Sequence, residues 1–152
     1  MDPNRPSFLL VDGNNILHAW EDLRLSLSSS VDRARTELTR RLRDWSDDAE
    51  ERVVLVFDGG VRSPREETRD RRIQVIYGGG GETADVVIER LVLKYVGTYG
   101  LTVATDDRAV SDLAAAAGAE VISSDGLRDR LEAGTRGRAE WLRRHRRRNR
   151  ED

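Results

Sequence analysis

Residues 8–15 read Phe-Leu-Leu-Val-Asp-Gly-Asn-Asn, a run of four apolar residues that ends in an aspartate and polar turn-forming residues. A short run that is apolar throughout is typical of a buried strand, and the residues after it predict a turn. Residues 53–58, Val-Val-Leu-Val-Phe-Asp, repeat this pattern and are followed by two glycines. Strands that are apolar throughout are typical of a parallel sheet covered on both faces.

Predicted helices and strands alternate along the rest of the chain. Residues 31–49 place apolar side chains at spacings of three and four, which predicts a helix with one buried face, capped by Ser30 or Asp32. Residues 61–72 show no apolar periodicity and predict an exposed loop or a short helix. Further strands are predicted at 73–77, 101–105 and 120–123, and helices at 82–96, 109–117 and 127–132. This alternation predicts an α/β fold with a mostly parallel central sheet and helices on both faces.

The composition restricts the class of protein. The length of 152 residues suits a single domain, and the absence of cysteine excludes disulfides, thiolate metal sites and a cysteine nucleophile. No apolar run approaches the roughly 18 residues that span a bilayer, and the first residues do not resemble a signal peptide. The sequence therefore predicts a cytoplasmic protein without a membrane partner.

The charge is divided unevenly along the chain. The formal net charge is −2, but residues 135–152 hold eight arginines against three acidic residues and carry +5, so residues 1–134 carry −7. We therefore predict an acidic domain over 1–134, followed by a basic tail or helix over 135–152. A basic segment of this kind either binds a polyanion or is a solvated end of the chain.

Carboxylates follow three of the predicted strands, and two more lie in the first turn of a predicted helix. They are Asp12, Asp58, Asp106 and Asp107 after strands, and Glu82 and Asp85 in the helix. Because ligands bind at the carboxyl ends of strands in an open parallel sheet, these side chains are expected at one edge. Clustered carboxylates favour a hard divalent cation such as Mg²⁺ or Mn²⁺, which suits phosphodiester hydrolysis. The alternative for each aspartate is a role in a turn or a helix cap.

Four motifs, taken in order, resemble one protein family. They are Leu-Leu-Val-Asp-Gly-Asn-Asn-Ile at 9–16, Val-Phe-Asp at 56–58, Glu-Thr-Ala-Asp at 82–85 and Val-Ala-Thr-Asp-Asp at 103–107. This order resembles the YacP-like NYN domain family of bacterial PIN-like nucleases, and Glu-Thr-Ala-Asp is its most specific part. The resemblance extends from about Phe8 to about Leu131. It implies a Rossmann-like PIN fold and a metal-dependent endoribonuclease.

The resemblance also implies roles for individual residues. Asp12, Asp85 and Asp107 match the acidic positions of the family's metal site and are the expected catalytic and metal-binding residues. Supporting positions are implied for Asn15, Asp58 and Glu82. Asp106 falls where relatives often have a serine, and we expect it to support the site without matching the family. Asn15 is expected to orient an oxygen of a ligand or substrate, and Asp106 to add charge or to cap the next helix.

Arginines supply the expected contacts to RNA. One group follows Asp58, and the other lies in the basic segment at the end of the chain. The candidates are Arg62, Arg65 and Arg69 in the first group, and Arg143, Arg144, Arg146 and Arg147 in the second. The alternative for the first group is ordinary surface ion pairing with neighbouring acidic residues. The ribosome is a further candidate partner.

Two other functions compete with the nuclease. The chain could be a non-catalytic RNA- or ribosome-binding module of the same fold, although clustered carboxylates do not help to bind a polyanion. It could also bind a dinucleotide, because Gly79-x-Gly81-x-x-Ala84 lies between a predicted strand and helix. Against this reading, Glu82 and Asp85 would face the pyrophosphate at a helix N-terminus, where positive charge is required.

Overall fold

The structure is a computed structural model that describes residues 5–59, 65–69 and 72–151, with side chains described at 5–59 and 72–146. Within these ranges, helices and strands alternate much as predicted. In chain order they are β1 (Ser7–Asp12), α1 (Gly13–Ala19), α2 (Glu21–Leu27), α3 (Val31–Ser46), β2 (Arg52–Phe57), β3 (Arg65–Arg69), β4 (Ile73–Tyr77), α4 (Ala84–Tyr95), β5 (Gly100–Ala104), α5 (Arg108–Ala117), β6 (Glu120–Ile122) and α6 (Ser124–Glu151).

The described strands form one mostly parallel sheet in the order β3-β4-β2-β1-β5-β6. β1 pairs in parallel with β2 and β5, β2 with β4, and β5 with β6, whereas β3 is antiparallel to β4. The register places Asp12 beside Val56 and Val11 beside Ala104. The carboxyl ends of the central strands therefore lie at one edge, which we call the carboxyl edge, and the predicted α/β fold is confirmed.

Two hydrophobic cores cover the two faces of the sheet. Along β1, Leu9 and Val11 are buried with residues of α1, α2, α3 and α6, whereas Leu10 is buried with residues of α4 and α5. This alternation is the two-residue period of a strand that is covered on both faces. No helix in the described residues is both long enough and apolar enough to cross a membrane.

Two local predictions are changed by the structure, and one pair of alternatives is decided. Residues 65–69 form β3, so the predicted loop or short helix at 61–72 is wrong there; residues 60–64, 70 and 71 lie outside the described residues. α1 begins at Gly13, where a turn was predicted, because the Asp12 side chain accepts a hydrogen bond from the Asn15 N–H and caps the helix. Ser30, rather than Asp32, caps α3 by accepting from the Arg33 N–H at 3.2 Å.

α6 is a single helix of 28 residues that joins the predicted helix at 127–132 to the segment predicted as a basic tail or helix at 135–152. The basic segment is therefore helical up to Glu151. Two ion pairs join α6 to the rest of the domain, Arg130 to Glu51 at 3.0 Å and Arg138 to Asp48 at 2.5 Å. That residues 135–152 form a unit separate from a domain over 1–134 stays a prediction.

Candidate active site

The side chain of Asp12 is the most deeply buried carboxylate of the carboxyl edge, with 2% of the residue exposed. It lies where β1 ends and α1 begins. One oxygen accepts the Asn15 N–H at 3.4 Å, and the other accepts the Thr105 hydroxyl at 3.1 Å. The Asp85 carboxyl, in the first turn of α4, also lies within hydrogen-bonding reach of Asp12. Two predicted catalytic residues thus meet.

This meeting of carboxyl groups changes the acidity of Asp12. Burial is the largest influence and, together with the adjacent Asp85 carboxyl, raises the pKa of Asp12 from 3.8 to about 7. The hydrogen bonds from Thr105 and Asn15 act in the opposite direction. A buried carboxylate beside another carboxylate is costly unless a cation or a proton offsets the charge.

Asp58 connects the starts of two helices. One carboxylate oxygen accepts the Ala84 N–H at 2.6 Å, and the other accepts the Asn14 side-chain amide at 2.9 Å. The Asn14 amide oxygen in turn accepts the Asp58 N–H at 2.9 Å. Since Ala84 begins α4 and Asn14 lies in the first turn of α1, Asp58 holds Asp85 opposite Asp12.

Two glycines allow the segments after β2 and β4 to pass close to each other beside Asp58. The Gly59 N–H donates to the Glu82 carbonyl at 3.0 Å, and the Gly78 N–H donates to the Phe57 carbonyl at 3.1 Å. A Cβ on Gly59 would lie 1.4 Å from the carbonyl oxygen of Gly78. Glycine at position 59 is therefore required for the approach to α4.

Glu82 lies outside α4, which begins at Ala84 with Thr83 as its cap. Its carboxylate accepts the Gly79 N–H at 3.3 Å and forms an ion pair with Arg90. In the dinucleotide alternative, glycine N–H groups bind the pyrophosphate, but here a carboxylate occupies one of them. The glycine segment therefore supports α4 and does not resemble a phosphate-binding loop.

Asp106 and Asp107 cap different helices. The Asp106 carboxylate accepts the Ser124 N–H at 2.8 Å and the Ser124 hydroxyl at 2.5 Å, so it caps α6 and not the next helix, α5. Asp107 caps α5 by accepting the Val110 N–H at 3.0 Å. The Asp107 N–H donates to the hydroxyl of Thr105, the residue that also contacts Asp12.

Asn15 has a local role in this arrangement. Its side-chain oxygen accepts the Asp106 N–H at 2.9 Å, which joins α1 to the segment after β5. The capping alternative is thus realised for each strand-end aspartate, because Asp12, Asp58, Asp106 and Asp107 all accept an N–H at the start of a helix. Asp12 differs from the others in its depth and in facing a second carboxyl group.

The donor set fits a hard cation with few protein ligands. Asp12 and Asp85 offer carboxylate oxygens, and Mg²⁺ commonly binds one or two carboxylates while keeping several waters. Among the residues that the structure describes, no three carboxylate, histidine or cysteine side chains are arranged as a metal cluster. Asp107 lies at the same edge with one oxygen engaged in the α5 cap. Its role as a metal ligand stays a prediction.

The predicted RNA-binding arginines of α6 lie far from these carboxylates. α6 begins at the carboxyl edge, where Asp106 holds Ser124, and passes Glu51 and Asp48, which precede β2 at the opposite edge. Beyond that point the side chains of Arg143, Arg144 and Arg146 are exposed. At about 1.5 Å per helical residue, they lie roughly 30 Å from Ser124.

The side chains of the other predicted arginines lie outside the described ones. Arg62 lies outside the described residues. Arg65 and Arg69 belong to β3, and Arg147 to α6, but only their backbone is described. Their contacts with RNA stay predictions.

The sheet, its flanking helices and the acidic carboxyl edge define an α/β protein of the PIN-like class. The YacP-like NYN domain family matches residues 9–152, and the chain belongs to this family, as the motifs predicted. The fold of the family is a PIN-like nuclease fold.

Known relatives agree with this assignment. The chain is 34% identical over 102 residues to the uncharacterized protein YacP of Bacillus subtilis (strain 168), a match that covers 65% of this chain and 59% of that protein. A crystal structure of Rae1 (YacP) from Bacillus subtilis, a tryptophan-to-leucine mutant, matches with a TM-score of 0.76 and 28% identity over 91% of this chain and 82% of that chain. A second Rae1 (YacP) structure from this organism matches with a TM-score of 0.70 and 27% identity, over 95% of this chain and 81% of that chain.

Proposed function

We propose that this chain is a metal-dependent endoribonuclease that hydrolyses phosphodiester bonds in RNA at the carboxyl edge of its sheet. The observation that carries the proposal is the buried Asp12 carboxyl facing Asp85, within a PIN-like nuclease fold. A pair of carboxyl groups with this geometry disfavours its own charge and is stabilised by a divalent cation. The family assignment supports a nuclease and RNA as its substrate.

Asp12 and Asp85 are the residues that would hold Mg²⁺ or Mn²⁺, and Asp107 is the proposed third carboxylate. The cation would offset the charge of the phosphodiester and favour deprotonation of the attacking water. Asp58 fixes the start of α4, and through it the position of Asp85. Asn15 and Asp106 join the strand ends, and Glu82 supports the turn before α4. These four are positioning residues.

Substrate binding requires positive charge, because the domain over 1–134 carries a net charge of −7. Four helices, α1, α4, α5 and α6, begin at the carboxyl edge, but carboxylates of the chain itself already accept N–H groups at their N-termini. The arginines of α6 supply a basic surface that is distant from this edge. We therefore propose an RNA substrate that reaches the carboxyl edge and also contacts α6.

The test is cleavage of a labelled structured RNA by three proteins: wild type, Asp85→Asn and Asp112→Asn. Asp112 is an exposed residue of α5, so its variant controls for loss of one acidic charge. Wild type and Asp112→Asn are expected to cut with Mn²⁺ or Mg²⁺ and not with EDTA. Asp85→Asn is expected to lose at least about 100-fold in rate, the scale of removing one electrostatic group from an active site.

Two results would contradict the proposal. Cleavage that persists in EDTA, or equal cleavage by Asp85→Asn, would exclude the predicted site. If purified wild type binds RNA without cutting it, the same three proteins are assayed on translating ribosomes, the other predicted partner. Metal-dependent cleavage there, lost in Asp85→Asn, would retain the enzyme; its absence would favour the non-catalytic RNA-binding module.

A further inference from the structure

Arg35 lies on α3 with its guanidinium against two aromatic rings. The guanidinium carbon is 5.0 Å from the ring centroid of Phe57 and 5.5 Å from that of Tyr77. The two rings are themselves 5.6 Å apart. Contacts of this kind hold the planar head of an arginine in one orientation, through cation–π attraction and packing of its stem.

These aromatic residues place Arg35 at the carboxyl edge. Phe57 ends β2 directly before Asp58, and Tyr77 ends β4. The buried Phe57 ring also lies against the backbone of Gly13, the residue after Asp12: a Cβ on Gly13 would be 2.6 Å from the ring. A single aromatic ring therefore separates the Arg35 guanidinium from the chain that carries Asp12.

The charge of Arg35 is not neutralised within the described part of the chain. Its Nε is buried and has no hydrogen-bond partner there. Neighbouring arginines of α3 differ in this respect: Arg40 pairs with Glu37 and Asp44, and Arg41 pairs with Glu37 and Asp22. Arg35 is half-buried, and a charge in such a place without an acidic partner is costly. Its guanidinium is therefore a suitable donor for a phosphate.

We propose that Arg35 binds a backbone phosphate of RNA on the α3 side of the carboxylates, with Phe57 and Tyr77 holding its guanidinium in place. This inference rests on the proposed function, since it assumes an RNA strand at the carboxyl edge. It assigns to this edge a cation that the distant arginines of α6 cannot supply. The opposing interpretation is that the stem of Arg35 only covers the Phe57 ring.

Binding of a labelled single-stranded RNA, measured by fluorescence anisotropy in EDTA, separates the two interpretations. Arg35→Met keeps most of the apolar stem and removes the charge, whereas Arg40→Met removes an acid-paired charge from the same helix. Arg35→Met is expected to bind about tenfold more weakly than wild type, the effect of a lost charged hydrogen bond. Its slope of log affinity against log salt is expected to fall by about 0.7, the value for one phosphate contact.

The control Arg40→Met is expected to stay within about twofold of wild type. Thermal melting establishes that each variant is folded, and Arg35→Gln replaces Arg35→Met if the latter is unstable. Wild-type affinity and salt slope in a folded Arg35 variant, or an equal loss in Arg40→Met, would overturn the inference while leaving the nuclease intact. A wild-type protein that neither binds nor cuts RNA would overturn the proposed function together with the inference.

Discussion

The Asp12 carboxyl has different environments in the folded and unfolded protein. In the unfolded chain it faces water and has its ordinary pKa of 3.8, whereas burial beside Asp85 raises the pKa of Asp12 in the folded protein to about 7. Between about pH 4 and pH 7, Asp12 therefore keeps its proton in the folded protein and loses it in the unfolded chain. The stability of the metal-free protein is therefore expected to fall as the pH rises from about 4 to about 7.

Asp12→Asn is predicted to remove this pH dependence. At pH 8 and without divalent cations, the variant is expected to melt at least about 3 °C above wild type, because a buried charge is gone. Near pH 4, where the wild-type carboxyl is protonated, the two melting temperatures are expected to converge. Thermal unfolding from pH 4 to 8 in EDTA measures both.

The control for this prediction is Asp112→Asn, which removes an exposed carboxylate. It is expected to follow wild type at every pH. The opposite result would be a wild-type protein that becomes more stable from pH 4 to pH 7, with a gain that is absent in Asp12→Asn. That result would place an ionised Asp12 in the folded protein and contradict the raised pKa.

The acidic residues of the site could be predicted because each follows a strand or begins a helix, which the local pattern indicates. Their partners could not. Asn14 pairs with Asp58 across 44 positions, and Thr105 bonds to Asp12 across 93. Only the sheet order brings such residues together, so no local pattern identifies them. Asn14 adjoins the predicted Asn15, and its strand-end position is the one signal that could have suggested it.

At the scale of elements, the apolar strands and amphipathic helices were predicted closely: β4 has the predicted bounds, and α5 starts one residue early. β3 was missed because Arg-Glu-Glu-Thr-Arg has no apolar alternation. It pairs through its backbone with β4 at the edge of the sheet, where polar strands are common. α1 was missed because Asp-Gly-Asn-Asn forms turns and helix starts alike.

For the proposed nuclease, the placement of α6 predicts that RNA binding and RNA cleavage occur at separate places. Its exposed arginines beyond Arg138 lie at the edge opposite the carboxylates, so they can attract RNA without contacting the cleaved phosphate. Gln substitution at Arg143, Arg144 and Arg146 together is expected to raise KM for RNA about tenfold with kcat within about twofold. The salt slope of binding is expected to fall, since each lost phosphate contact reduces it by about 0.7.

A matched variant tests whether α6 acts through position or through net charge alone. This variant loses three positive charges elsewhere on the surface, by Gln substitution at the exposed residues Arg24, Arg40 and Arg52. This variant is expected to change KM by less than about threefold. Equal effects in both variants would contradict a specific role for α6, and a fall in kcat with unchanged KM in the α6 variant would contradict its distance from the site.

For the whole molecule, the fold converts a linear order of acidic motifs into one charged edge. Parallel strands bring Asp12, Asp58 and the Asp106–Asp107 pair to the same side, although up to 95 positions separate them. Helix N-termini offset these charges in part, because each of these aspartates accepts an N–H at the start of a helix. Asp12 also faces Asp85, and no described basic side chain relieves the repulsion of this pair by a direct hydrogen bond or ion pair. Binding a cation there would stabilise the entire fold.

Because a bound cation would stabilise the fold, we expect Mg²⁺ to raise the melting temperature of the wild-type protein. A ligand at about ten times its Kd adds about 1.4 kcal/mol, which corresponds to roughly 3–6 °C for a domain of this size. The shift is expected at pH 8 and to shrink at pH 5, because Mg²⁺ must then displace the proton from Asp12. Asp12→Asn is expected to lose the shift and Asp112→Asn to retain it. NaCl at equal ionic strength controls for screening: an equal rise with NaCl, or a full Mg²⁺ shift in Asp12→Asn, would show that the cation does not bind between Asp12 and Asp85.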